Sequence, residues 1–432
     1  MPCVLSQSIV AAGGTVGAIA ISHVDGLRGL STTAPIAAGE PLLSLPPSLA
    51  LFAHEPSEPL RRLELELATP LAEHERIACG LLQRLTGPNA LPRPYVDSLP
   101  RQMPPPSPSW LWDPDELDLL GAPRLKSMSL WRRGEARRLA GELEKVWPPS
   151  GSGAHPPSEA QVEWALAIAT SRSLAATAAD GGAILSALAP LCDMMNHAPR
   201  AEDSVQLVHE GDRLVLRAIA PIEKGAPVEF SYGEISDEML LLQYGFVLAD
   251  GSNPHEECVA SIGALLRASP SDAAHRCVQL RLLEPDPKGG GANTQQPAGP
   301  KLQEATLQLV LAQSAAEAEA AGGGGGGGNG DCGGGGGGAP SQSELLRRWQ
   351  HAYQGGLKAA LEDIERAEAA SEAAVEARRE ASQPRPTSRQ LGGAPSGELG
   401  RRLAREATAA QWRHSQRRLL NAELEASKQQ HW

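Results

Sequence analysis

The spacing of apolar residues changes period along this chain, and that change limits its fold more than any other feature. Residues 15–50 read as short strands broken by turns: Val16–Ile21, then a turn at 23–26, Gly29–Thr33, a turn at 37–40, and Pro41–Leu45 ending at Pro46-Pro47. From Glu58 to Leu85 the pattern becomes helical, with Leu60, Leu63, Leu67, Leu71, Ile77, Leu81, Leu82 and Leu85 in step. Asp113 to Leu117 reads as a helix start with an acidic first turn, and further helices fit 123–147 and 158–178. Ser158 and Gln161 have the spacing of a capping box. Strand character returns after Gly181-Gly182. Val205–Val208 and Arg213–Ala218 flank a turn at 210–212, a hairpin signal, and a turn at 223–225 precedes Val228–Tyr232. A helix over 237–244 stops at Gly245, and residues 255–432 are mostly helical, interrupted at 284–300 and 382–398. This order predicts an α+β fold: a β-core with a helical insert at about 58–180, followed by a mostly α-helical C-terminal domain.

The chain has 432 residues, more than one ordinary domain of roughly 100–200 residues needs. The reading divides it into 1–250 and 251–432. The hydrophobic fraction of 41% can fill a globular core, and no apolar run approaches the roughly 18 residues of a membrane span. With 39 basic against 51 acidic residues the net charge is −12, which does not favour a nucleic-acid or membrane surface. Six scattered cysteines contain no CxxC pair, which argues against a disulfide framework and a closed zinc site, and suits a reducing compartment. No metal is expected. The first residues lack a charged n-region and a clear apolar stretch, so an intracellular protein is expected, with cytoplasm and chloroplast both open. From Gly322 to Gly338 only Asn329, Asp331 and Cys332 break a glycine run, the centre of a flexible insert at about 316–342. The acidic stripe Glu365, Glu368, Glu372 and Glu376 reads as a solvated helix face. Aromatic residues make up only 3%, yet Phe230, Tyr232, Tyr244 and Phe246 crowd into one short stretch. A small local core or a ring-lined pocket would account for them.

Three distant segments carry a resemblance. The first is Gly26-Leu27-Arg28-Gly29-Leu30 followed by Ile36 to Pro46. The second is Ala189-Pro190-Leu191-Cys192-Asp193-Met194-Met195-Asn196-His197. The third is Glu229-Phe230-Ser231-Tyr232-Gly233, followed by Leu240-Leu241-Leu242 and Tyr244-Gly245-Phe246-Val247. Between the first two, Trp164 and Ser171-Arg172-Ser173 complete an ordered set. Together they resemble the SET-domain protein methyltransferases, within that superfamily the branch typified by plant Rubisco large-subunit methyltransferase. The resemblance covers roughly residues 10–260. It implies a SET β-core with a pseudoknot-like threading, in which the Asn-His segment passes under the loop carrying the tyrosine. It also implies a helical substrate-binding-like domain after residue 250.

The implied activity is S-adenosyl-L-methionine-dependent methylation of a lysine on a non-histone protein, by a chain that is a monomer. A protein-histidine methyltransferase of the same fold and a non-catalytic SET-fold scaffold remain as alternatives. The resemblance makes Tyr232 the catalytic tyrosine. It places Arg28, Gly29, Leu30, Arg172, Asn196, His197 and Tyr232 against the cofactor. Ser171, Arg172, Asp193, Tyr244 and Phe246 would line the lysine channel. Physical chemistry asks for such a site. A free lysine, with a pKa near roughly 10.4, is almost fully charged at neutral pH, and a dry, ring-lined channel disfavours the ammonium. Glycine at position 29 lets backbone approach a ligand closely. From the residues alone, Tyr232 also reads as a half-buried strand tyrosine and Asn196-His197 as a turn pair. Arg28 fits a solvated turn as well, and Arg172 a salt bridge within the insert. No cysteine cluster follows Phe246, so the zinc-binding tail of histone-directed relatives is absent.

Overall fold

A computed structural model describes residues 3–24, 27–54, 58–67, 70–85, 90–103, 107–147, 155–178, 184–198, 204–248, 252–255, 342–381 and 398–429. The chain opens with α1 (Val4–Ala11), which the sequence reading did not anticipate; its first turn is capped by the Cys3 thiol, which accepts from the Ser6 backbone N–H at 3.4 Å. Strands β1 (Thr15–Val16), β2 (Ile19–Val24), β3 (Leu27–Thr32), β4 (Pro41–Leu45) and β5 (Leu51–Phe52) follow. Helices α2 (Glu58–Glu66), α3 (Glu73–Gln83), α4 (Arg93–Ser98), α5 (Pro114–Asp118), α6 (Pro123–Val146) and α7 (Glu159–Arg172) come next. The helical spacing of 58–85 therefore resolves into two helices, broken near Pro70, whose ring and missing N–H stop a continuous helix. Then come β6 (Leu174–Ala178), β7 (Ile184–Leu188), β8 (Asn196–His197), β9 (Val205–Glu210), β10 (Arg213–Ala218), β11 (Pro227–Phe230) and α8 (Asp237–Gln243), and finally α9 (Gln342–Ala381) and α10 (Glu398–Gln429).

One expectation is corrected. The helix predicted over 158–178 starts as expected at its capping box, with Ser158 N–H donating to Gln161 Oε1 at 2.9 Å, but stops at Arg172. Ser173 is extended, and Leu174–Ala178 pairs antiparallel with β7 and parallel with β9. The Leu-Ala-Ala-Thr-Ala composition of that stretch favours helix, and sheet pairing overrides it. Arg172 therefore sits in the last turn of α7 rather than inside a longer helix.

Among the described residues the strands form two sheets. The larger has the order β1-β4-β10-β9-β6-β7-β5, and the smaller β2-β3-β11-β8. The predicted hairpin is β9–β10, paired Arg213 to Glu210 through Ala218 to Val205, with Gly211 at φ 62° in the turn. In β4, Leu42, Leu43 and Leu45 are all buried, as expected of a strand covered on both faces. The chain leaves β7 of the large sheet, lays β8 at the edge of the small one, returns for β9 and β10, and enters the small sheet again as β11. There β11 runs parallel to β8, with Glu229 opposite Asn196 and Phe230 opposite His197, and antiparallel to β3.

The chain divides into two compact units. The first comprises residues 1–111, 129–234 and 241–245, and the second 112–128, 235–240 and 246–432. In the first, α3 packs along α7, and α1 packs on β1 and α4. In the second, α9 and α10 pack together and bury Tyr353, Leu357, Ile364, Trp412 and Leu420. Arg405 pairs with Glu116 and lies 5.9 Å over the buried Trp112 ring, and Arg413 donates to the Leu119 carbonyl. Of the acidic stripe, Glu365 and Glu372 are exposed while Glu368 pairs with Arg417. The glycine insert and the predicted interruptions at 284–300 and 382–398 lie outside the described residues, except Gln342 and Glu398, which begin α9 and α10. No helix among the described residues is long and apolar enough to cross a membrane.

Candidate active site

The site is assembled within the first unit from five stretches far apart in sequence. On β3, Gly29 packs directly against the Asn196 side chain: a Cβ at position 29 would lie 2.7 Å from Asn196 Nδ2. Asn196 is half-buried, and its carboxamide makes no hydrogen bond among the described residues. His197 follows on β8. Beyond β11, the Tyr232 backbone N–H donates to His197 Nδ1 at 3.1 Å, and the Tyr232 hydroxyl donates to the Met195 carbonyl at 2.8 Å. These two bonds strap the residues after β11 to the 195–197 segment. Because Nδ1 accepts, the neutral ring carries its proton on Nε2.

The rings are stacked in series. His197 and Tyr232 have centroids 4.9 Å apart with a 36° tilt, and Tyr232 and Tyr244 are 4.7 Å apart with 28° between planes. Gly245, at φ 86°, turns the chain immediately after Tyr244, and a Cβ there would meet the Ser107 carbonyl carbon at 2.3 Å, so only glycine fits. Burial pushes both phenols up; Tyr244 reaches about 12. For Tyr232 burial is the largest cause, with Tyr244 and Asp193 adding to it and Arg172 opposing. Both hydroxyls therefore stay protonated near neutral pH.

Beside the rings lies a charged cluster. Arg172 Nη1 donates to the Asp193 carbonyl at 2.9 Å and stands 3.4 Å from Asp193 Oδ2. The Asp193 side chain is fully buried; burial raises its pKa, opposed by Arg172 and Arg28 and by the hydrogen bonds from Arg172 and Tyr95. Tyr95, from α4, is itself fully buried and donates to Asp193 Oδ2 at 3.4 Å. Arg28 Nη1 donates to the Ser98 carbonyl at 3.1 Å. Three polar atoms here are buried without a partner: Arg172 Nε, Asp193 Oδ1 and Ser173 Oγ. Unpaired buried donors and acceptors are costly, which makes them candidates for contact with a polar ligand. The turn carrying Asp193 begins at Leu191, the one non-glycine residue at positive φ among those described, with φ 66° and ψ −45°. That is a strained γ-turn conformer, costing on the order of 1–3 kcal/mol, and such strain gathers at functional sites.

Of the residues singled out from sequence, the structure thus brings Gly29 to Asn196, Tyr232 to both His197 and Tyr244, and Arg172 to Asp193. Leu30 is buried, opposite Ile21 and Val228, so it faces the site with backbone at most. The Ser171 hydroxyl is bound within α7 to the Ala167 carbonyl at 2.6 Å. Phe246, half-buried, falls in the second unit. Tyr95 was not singled out. Its one signal is composition: the chain has only four tyrosines, and Tyr95, Tyr232 and Tyr244 all lie here.

Residues 27–233 match the family model of the SET domain, a span that includes Gly29, Arg172, Asp193, Asn196, His197 and Tyr232. This stretch is a SET domain. No curated protein sequence matches the chain. Solved structures share its fold. The SET domain of LSMT bound to lysine and AdoHcy aligns with a TM-score of 0.56 and 15% identity, covering 99% of this chain and 92% of that one. Rubisco LSMT bound to AdoMet aligns at 0.55 and 16%, and Rubisco LSMT bound to sinefungin and monomethyllysine at 0.54 and 16%, with the same coverage. At such identities the likeness is one of fold. The SET β-core followed by helices is the architecture expected from sequence.

Proposed function

We propose that this chain is an S-adenosylmethionine-dependent protein-lysine N-methyltransferase with Tyr232 as its catalytic tyrosine. The observation that carries the reading is the pair of bonds from Tyr232 to Met195 and His197, which join two motif segments into one aromatic corner. The solved structures of the same fold, described as bound to lysine or methyllysine with AdoHcy, add support. The cofactor fits the residues present: a glycine whose Cβ would collide with Asn196, a carboxamide with no hydrogen bond among the described residues, and Arg172 Nε and Asp193 Oδ1, which have no hydrogen-bond partner among them either. Gly29, Leu30, Arg28, Arg172, Asn196 and His197 would hold it.

When bound, S-adenosylmethionine supplies a methyl already activated on a sulfonium, ready for in-line displacement. The work of this chain is then positioning and desolvation. Tyr244 and Tyr232 present stacked faces that exclude water and disfavour a lysine ammonium, leaving the neutral amine that can attack. The Tyr232 hydroxyl, protonated and fixed on the Met195 carbonyl, acts as a dipole rather than a base. Carbonyls at Ser171, Arg172 and Asp193 would orient the amine; Arg172 already occupies one lone pair of the Asp193 carbonyl. The helical part after residue 250 would take the protein substrate.

Incubating the purified protein with S-adenosylmethionine and a cell lysate, then analysing modified peptides by mass spectrometry, tests this. Methyllysine in a specific protein is expected. Methylhistidine would move the assignment to the histidine alternative, and no modification together with no cofactor binding would support the scaffold.

A further inference from the structure

The short stretch Tyr95–Pro100, in the helical insert and outside every motif, holds three parts of the site at once. The Tyr95 hydroxyl donates to Asp193 Oδ2 at 3.4 Å, and Asp193 in turn receives Arg172 on both its carbonyl and its carboxylate. The Ser98 carbonyl accepts Arg28 Nη1 at 3.1 Å. The Pro100 carbonyl accepts Trp164 Nε1 at 2.7 Å, fixing α7, whose last turn carries Arg172. Within the stretch the Ser98 hydroxyl bonds the Tyr95 carbonyl at 2.6 Å, closing the turn. Tyr95 is fully buried, so its phenol has no water to compete for it.

The two arginines are attracted to one carboxylate and repel each other; both effects register at Arg28, where burial is the largest. A guanidinium in that setting has alternative ways to satisfy Asp193. With Oδ2 shared between Tyr95 and Arg172, the carboxylate cannot rotate freely. Arg172 meets Asp193 through Nη1, and its Nε is left as a buried donor without a partner. Removing the Tyr95 hydroxyl frees Asp193 to rotate and draw Arg172 into a two-pronged pair, the arrangement guanidinium and carboxylate prefer. Made side-on, through Nε and Nη2, that pair would consume the free donor.

We propose that Tyr95 is a positioning residue: through Asp193 it holds the Arg172 guanidinium with its Nε free for the cofactor, so the helical insert tunes cofactor affinity. This rests on the function proposed above.

The test is a double-mutant cycle read by calorimetric titration of S-adenosylhomocysteine, with initial rates at saturating S-adenosylmethionine and an unfolding curve for each protein. Tyr95→Phe is expected to weaken binding about five- to tenfold, the loss of one hydrogen bond to a charged group. kcat should stay within about threefold. In an Arg172→Ala background the same change should cost less than about twofold, because the residue it acts through is gone. Equal losses in both backgrounds, or unchanged affinity, would overturn the proposal. If Tyr95→Phe unfolds, Asp193→Asn carries the test, again with loss of affinity expected and coupled to Arg172. A wild-type chain that binds no cofactor would instead refute the function reading itself, an outcome distinct from a wild type that binds and a Tyr95→Phe that binds equally well.

Discussion

Burial places the Tyr232 and Tyr244 phenols, the latter at about 12, beyond the pH range in which most enzymes are assayed. A methyl-transfer rate should therefore rise with pH as the target amine deprotonates, with no tyrosine ionisation cutting it off below pH 10. At the same scale, Gly29 offers a sharp steric experiment. In Gly29→Ala the new Cβ stands 2.7 Å from Asn196 Nδ2, so the carboxamide must swing aside. Cofactor affinity should fall about tenfold, equivalent to ~1.4 kcal/mol, while the unfolding midpoint hardly moves, since only a half-buried side-chain end is displaced. Calorimetry of both proteins checks this; equal affinities would remove Asn196 from the cofactor site. The ring cluster at this scale was readable because the chain is poor in aromatic residues, so Tyr232 and Tyr244 stood out before their contact was seen. Tyr95 escaped because nothing local marks a tyrosine whose partner lies 98 residues away.

Elements were readable where local rules decide them. The Ser158 capping box, the 210–212 hairpin turn and the glycine after α8 all sit where turn and cap chemistry put them. The stretch after Arg172 was not, because its strand state comes from pairing with β7 and β9 and not from its own residues. Helix pairing also makes a pH-dependent element. His74 on α3 lies 3.1 Å from Arg132 on α6, and burial, then the Arg132 charge, lowers its pKa from 6.5 to about 4. The folded state thus binds this proton more weakly than the unfolded chain. The contribution of His74 is intact above pH 6.5 and is lost as pH falls toward 4, at most about 1.4 kcal/mol per pH unit for one proton. Urea midpoints measured from pH 7 to 4 should show a shallower decline in His74→Gln than in the wild type. Parallel declines would contradict this account of the α3–α6 contact.

For the whole molecule, the change of period along the sequence carried the α+β class, but not which strands would be neighbours. The pairing of β8 with β11 and the bonds from Tyr232 to Met195 and His197 link residues 33 to 37 positions apart across a hairpin belonging to the other sheet, and spacing alone does not encode them. Nor does composition mark 112–128 and 235–240 as parts of the second unit. The central claim joins these long-range contacts to one activity, and a single comparison tests it most directly: transfer of isotope-labelled methyl from S-adenosylmethionine to lysate protein by the wild type and by Tyr232→Phe. Removing one positioned hydroxyl should lower kcat about 10²-fold, with cofactor affinity within about threefold and the label recovered as methyllysine. Equal labelling by the two proteins would contradict the account.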